Sequence, residues 1–235
     1  MRDALVFNGA SNLDFQDIRT NVIRIPEVVM RIREAQQIWD SLATTSLDLA
    51  NFIASEDSVF LGHIKLKAFA TAVVQVGLLD RYLKSNKLPE YVVGTINGDS
   101  PLLVALGKIT FQEMVEQSSA VTGVAGRPVP AASGGFELPV LAGVQLCEYG
   151  IFRRNEKGDF HRQNSDSREI ERMLVELAEE NDVTKLALIG PGNTISKRIQ
   201  DLTSREIQVL ESIDMDPMLS WFWSNLRADR LAVAN

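Results

Sequence analysis

The stretch Tyr91–Gly107 constrains the fold more than any other part of the chain, because it predicts a strand, a tight turn and a helix in direct succession. Its first three residues, Tyr91–Val93, are β-formers typical of a short buried strand. Gly94 and Gly98 accept the tight backbone of a turn, and Pro101 suits the first position of a helix. Units of this kind build sheets that are covered by helices.

The turn has the glycine spacing of a nucleophile elbow, G-x-S-x-G, in which the central serine attacks an acyl group. The corresponding residues of this chain are Gly94, Ile96 and Gly98. Isoleucine has no lone pair with which to attack and no proton to give up, so we expect this turn to lack acyl chemistry. The next two residues, Asp99 and Ser100, are expected to cap the following helix rather than to act in catalysis.

Strands and helices alternate along the rest of the chain. The predicted strands are Ala4 to Phe7, Val140 to Phe152, Lys185 to Ile189 and Glu206 to Leu210, with a hairpin-type turn at Asn155 to Asp159. The predicted helices are Pro26 to Leu42, a short helix capped by Ser46 that ends at Ile53, Gly62 to Lys84, Thr110 to Ala120, Arg168 to Glu180, a helix after Gly192 that ends near Leu202, and Pro217 to Arg227. Ser165, Asp166 or Ser167 is expected to cap the helix that starts at Arg168. This alternation predicts an α/β fold, a mostly parallel sheet with helices on both faces.

Composition narrows the class of protein. A length of 235 residues suits one domain with a sizeable core. The net charge of −7 argues against nucleic-acid binding. No apolar run is long enough to cross a membrane and no signal peptide is evident, so we expect no membrane contact. The single cysteine, Cys147, excludes an internal disulfide and fits a reducing cytoplasm.

Several motifs follow one another in the same order as in the malonyl-CoA:acyl-carrier-protein transacylase family, and the chain resembles that family. The family also occurs as the acyltransferase domain of polyketide synthases. Phe7–Ser11 stands where the family has F-P-G-Q-G-S after its first strand, and Gly94–Asp99 stands where it has G-H-S-L-G-E. A late strand followed by Gly190–Gly192 matches the family's G-P-G. The resemblance covers the first 120 residues and a second part from about Leu138 to Gln200. It implies an acyltransferase core, which is similar to that of α/β-hydrolases.

The middle of the chain departs from the family. Residues 122–135 are rich in Gly, Pro and small residues, which is typical of a loop. In the family this region carries a ferredoxin-like subdomain, and a segment with the catalytic histidine follows it. The resemblance therefore implies that residues 1–235 form a single acyltransferase-like domain from which the small subdomain has been lost.

The family's reactive side chains are also absent from the matching positions. The serine nucleophile corresponds to Ile96 and the histidine before it to Thr95. The arginine falls near Val121, and the glutamine of the preceding helix falls near His63. The resemblance thus implies that the chain has no catalytic residues, while the glycines and the apolar framework are kept. We expect a pocket lined by Asn8, Gly9, Ala10, Ser11, His63, Gly94, Asn97, Gly98, Asp99, Gly190, Pro191 and Gly192.

No metal or cofactor is expected, because the two histidines and one cysteine are far apart in sequence. The leading hypothesis is an inactive transacylase homologue that binds an acyl carrier protein or a CoA thioester in acyl, polyketide or fatty-acid metabolism. A basic cluster could contact such a partner, and its members are Arg153, Arg154, Lys157, Arg162 and Arg168. One alternative is a thioester transferase or hydrolase that uses relocated residues such as Asp99, Ser11 or His63. The other is a structural subunit, in a homo-oligomer or a larger complex.

Overall fold

The computed structural model describes residues 2–7, 15–42, 46–56, 63–95, 100–121, 149–163, 165, 169–190, 199 and 201–221. Its strands are β1 (Arg2–Phe7), β2 (Tyr91–Thr95), β3 (Tyr149–Arg154), β4 (Phe160–Gln163), β5 (Val183–Ile189) and β6 (Gln208–Leu210). Its α-helices are α1 (Phe15–Thr20), α2 (Pro26–Leu42), α3 (Leu49–Ala54), α4 (Ile64–Ser85), α5 (Ser100–Ala105), α6 (Phe111–Val121) and α7 (Ile170–Glu180). Short 3-10 helices lie at Val22–Arg24 and Ser212–Met215. Residues 217–221 are also helical, and we call them the terminal helix.

The six strands form one sheet in the order β4-β3-β2-β1-β5-β6. β1 pairs in parallel with β2 and β5, and β5 pairs in parallel with β6. β3 is antiparallel to β2 and forms an antiparallel hairpin with β4. The predicted hairpin turn is present, with the N–H of Asn155 donating to the carbonyl of Asp159 at 2.9 Å. The prediction of an α/β fold with a mostly parallel sheet is confirmed.

Alternate residues of β1 are buried on opposite faces of the sheet, as the two-residue period of a strand requires. Leu5 and Phe7 belong to the apolar core shared with α2, α4 and α6, whereas Ala4 and Val6 belong to the core shared with α7. All four side chains are fully buried. Burial on both faces is typical of a central parallel strand, and the prediction of helices on both faces is confirmed.

Two helix starts differ from those predicted. α3 is capped by Asp48, whose carboxylate accepts the backbone N–H of Asn51 at 2.9 Å, so the cap predicted at Ser46 is wrong. Serine and aspartate are equally good caps, and a shift of two residues leaves the apolar face of α3 unchanged. At the start of α7, Ser165 does not cap the helix but donates its hydroxyl to Glu176 at 2.7 Å. Of the other predicted caps, Asp99, Asp166 and Ser167 lie outside the described residues, whereas Ser100 is already the first residue of α5.

α2 and α4 pack together closely at Gly77. A Cβ built on Gly77 would lie 2.6 Å from the Cα of Val28 and 3.0 Å from its Cγ2. Ordinary contacts between such atoms are about 4 Å long, so only glycine fits at this position. Arg31 of α2 reinforces the pairing, since its Nε donates to the Asp80 carboxylate at 2.5 Å and its guanidinium lies 4.5 Å from the ring centroid of Phe111.

A cluster of charged side chains ties the end of the described chain to α2 and α4, and we call it the Glu27 cluster. Glu27 is only 4% exposed and forms ion pairs with Lys84 and, at 3.7 Å, with Arg81. Arg81 also pairs with Asp216 at 3.4 Å and donates its Nε to the carbonyl of Met215 at 3.1 Å. The other oxygen of Asp216 accepts two backbone N–H groups of the terminal helix, at 2.9 and 3.1 Å. Asp216 therefore caps that helix while Arg81 holds it against α4.

Candidate functional site

The sheet has a topological switch point beside β1, because β2 pairs with one side of β1 and β5 with the other. In open α/β sheets, ligands bind outside the carboxyl ends of the strands at such a point. Val6 is in register with Val93, and Phe7 with Ile189, so the ends of β1, β2 and β5 lie at the same edge. We call this edge, marked by Phe7, Thr95 and Ile189, the carboxyl-edge site.

The sequence predictions fall around this edge. Gly94 lies near the carboxyl end of β2, and Gly190 directly follows β5. β1 lies between these two strands, so the two glycines are about 10 Å apart, which is two strand spacings. The remaining predicted positions next to these strands lie outside the described residues, namely Asn8, Gly9, Ala10, Ser11, Ile96, Asn97, Gly98, Asp99, Pro191 and Gly192. The strands therefore bring the flanking segments to one edge, and the lining of a pocket there stays a prediction.

Gly94 differs from its predicted role as a turn residue. It lies inside β2, paired with Gly150 of β3, and it is buried. A Cβ built on Gly94 would lie 3.0 Å from a methyl group of Leu102 in α5. The absence of a side chain thus lets α5 pack close against β2, and only residues 96–99 connect the strand to the helix. Glycine is needed here for close approach rather than for turning the chain.

α4 runs antiparallel to β5 and extends beyond the sheet at the carboxyl-edge site. Lys185, near the start of β5, donates to Asn86 just after α4 at 3.4 Å. At the other end of β5, the Nε2 of Gln75 donates to the carbonyl of Ile189 at 2.9 Å. Gln75 lies eleven positions after Ile64, which is about 16 Å along the helix, so the first half of α4 projects past the carboxyl edge.

Gln75 is the site residue that sequence reasoning missed. It is 1% exposed in a helix segment that is otherwise apolar. Burial of an amide is costly unless it makes hydrogen bonds, so a glutamine at this position points to a specific partner. The sequence did contain a signal for this residue: Gln75 is the single amide in the apolar run Ala72–Leu79, and that run is typical of a buried helix.

His63 is placed differently from Gln75. It is exposed and precedes α4 at the N-cap position, where its side chain makes no capping hydrogen bond. It lies twelve residues before Gln75, or about 18 Å along the helix axis. The described residues therefore do not bring His63 to the strand ends.

Of the basic cluster predicted to contact a partner, Arg168 lies outside the described residues, and the other four members lie on the β3–β4 hairpin near the start of β2, away from the carboxyl edge. Arg153 pairs with Glu90 at 2.7 Å and lies 5.6 Å from the ring centroid of Tyr91, at the start of β2. Burial and the charge of Glu90 raise the pKa of Tyr91 above its usual value, although Arg153 partly opposes this. His161 is an exposed residue of β4 that shares a 2.9 Å hydrogen bond with Asn155. Of the basic residues predicted to contact a partner, Arg153 is thus already paired within the chain.

The described part of the chain contains no group of three His, Cys, Asp or Glu residues that could hold a metal ion. None of its helices is both long enough and apolar enough to cross a membrane.

Comparison with known proteins gives matches in structure but not in sequence. No protein-family model and no curated protein matches the sequence. An acyl-carrier-protein S-malonyltransferase from Burkholderia pseudomallei matches with a TM-score of 0.59 over 94% of this chain and 100% of its own, at 13% identity. The malonyl-CoA:ACP transacylase of Synechocystis matches with a TM-score of 0.55 over 90% of this chain and 97% of its own, at 13% identity.

A third match is the transacylase of Clostridium perfringens, with a TM-score of 0.53 over the full length of both chains and 15% identity. The chain has the transacylase fold. Identities of 13–15% show a shared fold and do not transfer the activity of these enzymes. The resemblance inferred from the order of the motifs is confirmed at the level of the transacylase fold.

Proposed function

We propose that the chain is a catalytically inactive member of the transacylase fold that binds an acyl thioester, presented by CoA or by an acyl carrier protein, at its carboxyl-edge site. The observation that carries this proposal is Ile96. It belongs to the four-residue connection between β2 and α5, where the resemblance places the serine nucleophile. The fold neighbours are named for transfer of a malonyl group to a carrier protein, which supports this ligand class.

The side chains near this connection support binding without turnover. A serine hydroxyl is a weak nucleophile unless a base lies beside it. The chain has two histidines. His63 lies about 18 Å along α4 from Gln75, and His161 lies on β4, which is separated from β1 by β3 and β2. Neither is positioned by the described elements as a base for the strand ends.

Intact-mass measurement tests the absence of catalysis. After incubation with malonyl-CoA or acetyl-CoA we expect an unchanged mass, because no acyl-enzyme forms. The variant Ile96→Ser is the matched control, and we expect it to stay unmodified too because it restores a hydroxyl without a base. A stable acyl adduct on the natural chain would refute the inactive assignment and favour the alternative of relocated catalytic residues.

Calorimetry tests the binding half of the proposal. We expect saturable binding of malonyl-CoA, and weaker binding of free CoA because it lacks the acyl group. A loaded acyl carrier protein serves as the second ligand. If neither CoA thioester nor carrier protein binds, the carboxyl-edge site does not have the proposed ligand.

A structural role in an assembly is the second candidate, and exposed apolar residues of the terminal helix favour it. Met218 and Trp221 are 73% and 65% exposed and lie three positions apart, hence on one helix face. Large exposed apolar side chains that lie together mark interaction surfaces. Light scattering should then give a mass above that of one chain, and the double variant Met218→Ser/Trp221→Ser should reduce it. A strict monomer for the natural chain would argue against this role.

A further inference from the structure

Among the described strands, only β1 pairs with the last residues of β5. β5 stays paired with β1 up to Phe7 and Ile189, but its pairing with β6 ends earlier, at Ala187 and Leu210. Backbone carbonyls of a strand point alternately to its two sides. The last residues of β5 therefore have no β6 partner for a carbonyl directed to that side, and a buried carbonyl without a donor is costly.

Gln75 supplies the missing donor. Its side-chain amide is chemically equivalent to a peptide N–H, it is buried, and it donates to the carbonyl of Ile189 at 2.9 Å. The next residue, Gly190, has a φ of 152°, a value that glycine adopts readily and other residues do not. A glycine at the end of a strand would otherwise loosen it, because glycine has the most backbone freedom to lose.

We propose that Gln75 is a positioning residue of the carboxyl-edge site: its amide takes the place of a neighbouring strand at the end of β5 and holds the backbone of Ile189 and Gly190 in a binding-ready position. The inference rests on the proposed function for the ligand, an acyl thioester, but the position of Gly190 can be tested without one. A site whose backbone is already in place binds more tightly, because its ordering does not have to be done by the ligand.

A single NMR signal can report on the position of Gly190. Gly190 is the only one of the 15 glycines that follows an isoleucine. Labelling with carbonyl-¹³C isoleucine and ¹⁵N glycine therefore gives one filtered amide signal, that of Gly190. In the variant Gln75→Leu we expect this signal to shift and its amide to exchange at least tenfold faster with solvent.

The matched control is Thr71→Val, one turn earlier in α4. Thr71 is also fully buried, and its hydroxyl donates to the carbonyl of Lys67 in its own helix at 2.7 Å, not to β5. We expect this variant to leave the Gly190 signal in place. A Gly190 signal that is unchanged in a folded Gln75→Leu variant, or shifted equally in Thr71→Val, would overturn the positioning role.

The variant Gln75→Glu separates positioning from packing. Only a protonated carboxyl can donate to the carbonyl of Ile189, so the Gly190 signal should return towards its natural position as the pH is lowered. A role in packing alone predicts no such recovery. This variant also serves if Gln75→Leu does not fold.

Malonyl-CoA binding links the inference to the proposed function. We expect Gln75→Leu to bind malonyl-CoA about tenfold more weakly than the natural chain, in line with the loss of one hydrogen bond's ordering effect. Equal affinity would contradict the positioning role in binding. If the natural chain does not bind malonyl-CoA at all, the proposed function fails, while the Gly190 signal still decides whether Gln75 holds the backbone at Gly190.

Discussion

The substitution Gly77→Ala tests whether the backbones of α2 and α4 are in direct contact. In an exposed helix interior, alanine would stabilise by about 1 kcal/mol relative to glycine. Here the new Cβ would lie 2.6 Å from the Cα of Val28, so the helices must separate by about 1 Å to restore an ordinary contact. Overpacking of this kind costs about 3 kcal/mol at the upper end of its usual range.

The two effects leave Gly77→Ala destabilised by about 2 kcal/mol, which corresponds to a fall in Tm of about 4–8 °C for a chain of this length. Urea unfolding followed by circular dichroism measures the change. The companion variant Val28→Ala removes the Cγ2 contact but leaves the Cα in place, so we expect it not to rescue Gly77→Ala. A stabilised Gly77→Ala, or full rescue in the double variant, would refute the backbone contact.

Two further predictions concern buried ionisable groups. Burial tends to raise the pKa of Glu27, but its ion pair with Lys84 and the charge of Arg81 outweigh burial, so the pKa lies below its usual value. The ionised carboxylate therefore stabilises the fold at pH values above the carboxyl pKa of the unfolded chain. Glu27→Gln should therefore unfold about 2 kcal/mol more easily at neutral pH, with a shallower loss of stability below about pH 4.5; equal acid profiles in urea titrations would contradict this. Burial, with a contribution from Asp3, raises the pKa of Tyr82 to about 12, so stability should fall as the pH rises from about 10 towards that value. In an ultraviolet titration Tyr82→Phe should remove the latest-ionising phenol, and an unchanged titration curve would show that another tyrosine ionises last.

Three strands of the parallel part of the sheet were predictable because each contains a short apolar run, Ala4–Phe7, Tyr91–Val93 or Leu186–Ile189, that is followed directly by Asn or Gly. Pro26 marked the start of α2 to the residue. In contrast, the cap of α3 could not be distinguished between Ser46 and Asp48, which have the same capping chemistry within one turn.

The site was harder to predict, since its features depend on contacts between distant segments. Gly94 carries a turn-like signature, yet its role comes from Leu102 of α5 and from its pairing with Gly150. Gln75 matters only because β6 ends early, and no local pattern reveals the length of a partner strand. The order of the motifs, through the family resemblance, predicted which edge of the sheet holds the site. The role of the Gln75 amide at that edge could be found only from the structure.

The Glu27 cluster has a practical consequence for anyone who shortens or tags this protein. A chain cut before position 212 would keep all six described strands, yet Arg81 would lose its contacts with Met215 and Asp216. Of the contacts described above, its guanidinium would keep only the ion pair with Glu27, in the first turn of α2. Deletion series should therefore spare this region, and a poorly expressed short version should not be taken as evidence that the removed tail performs the function.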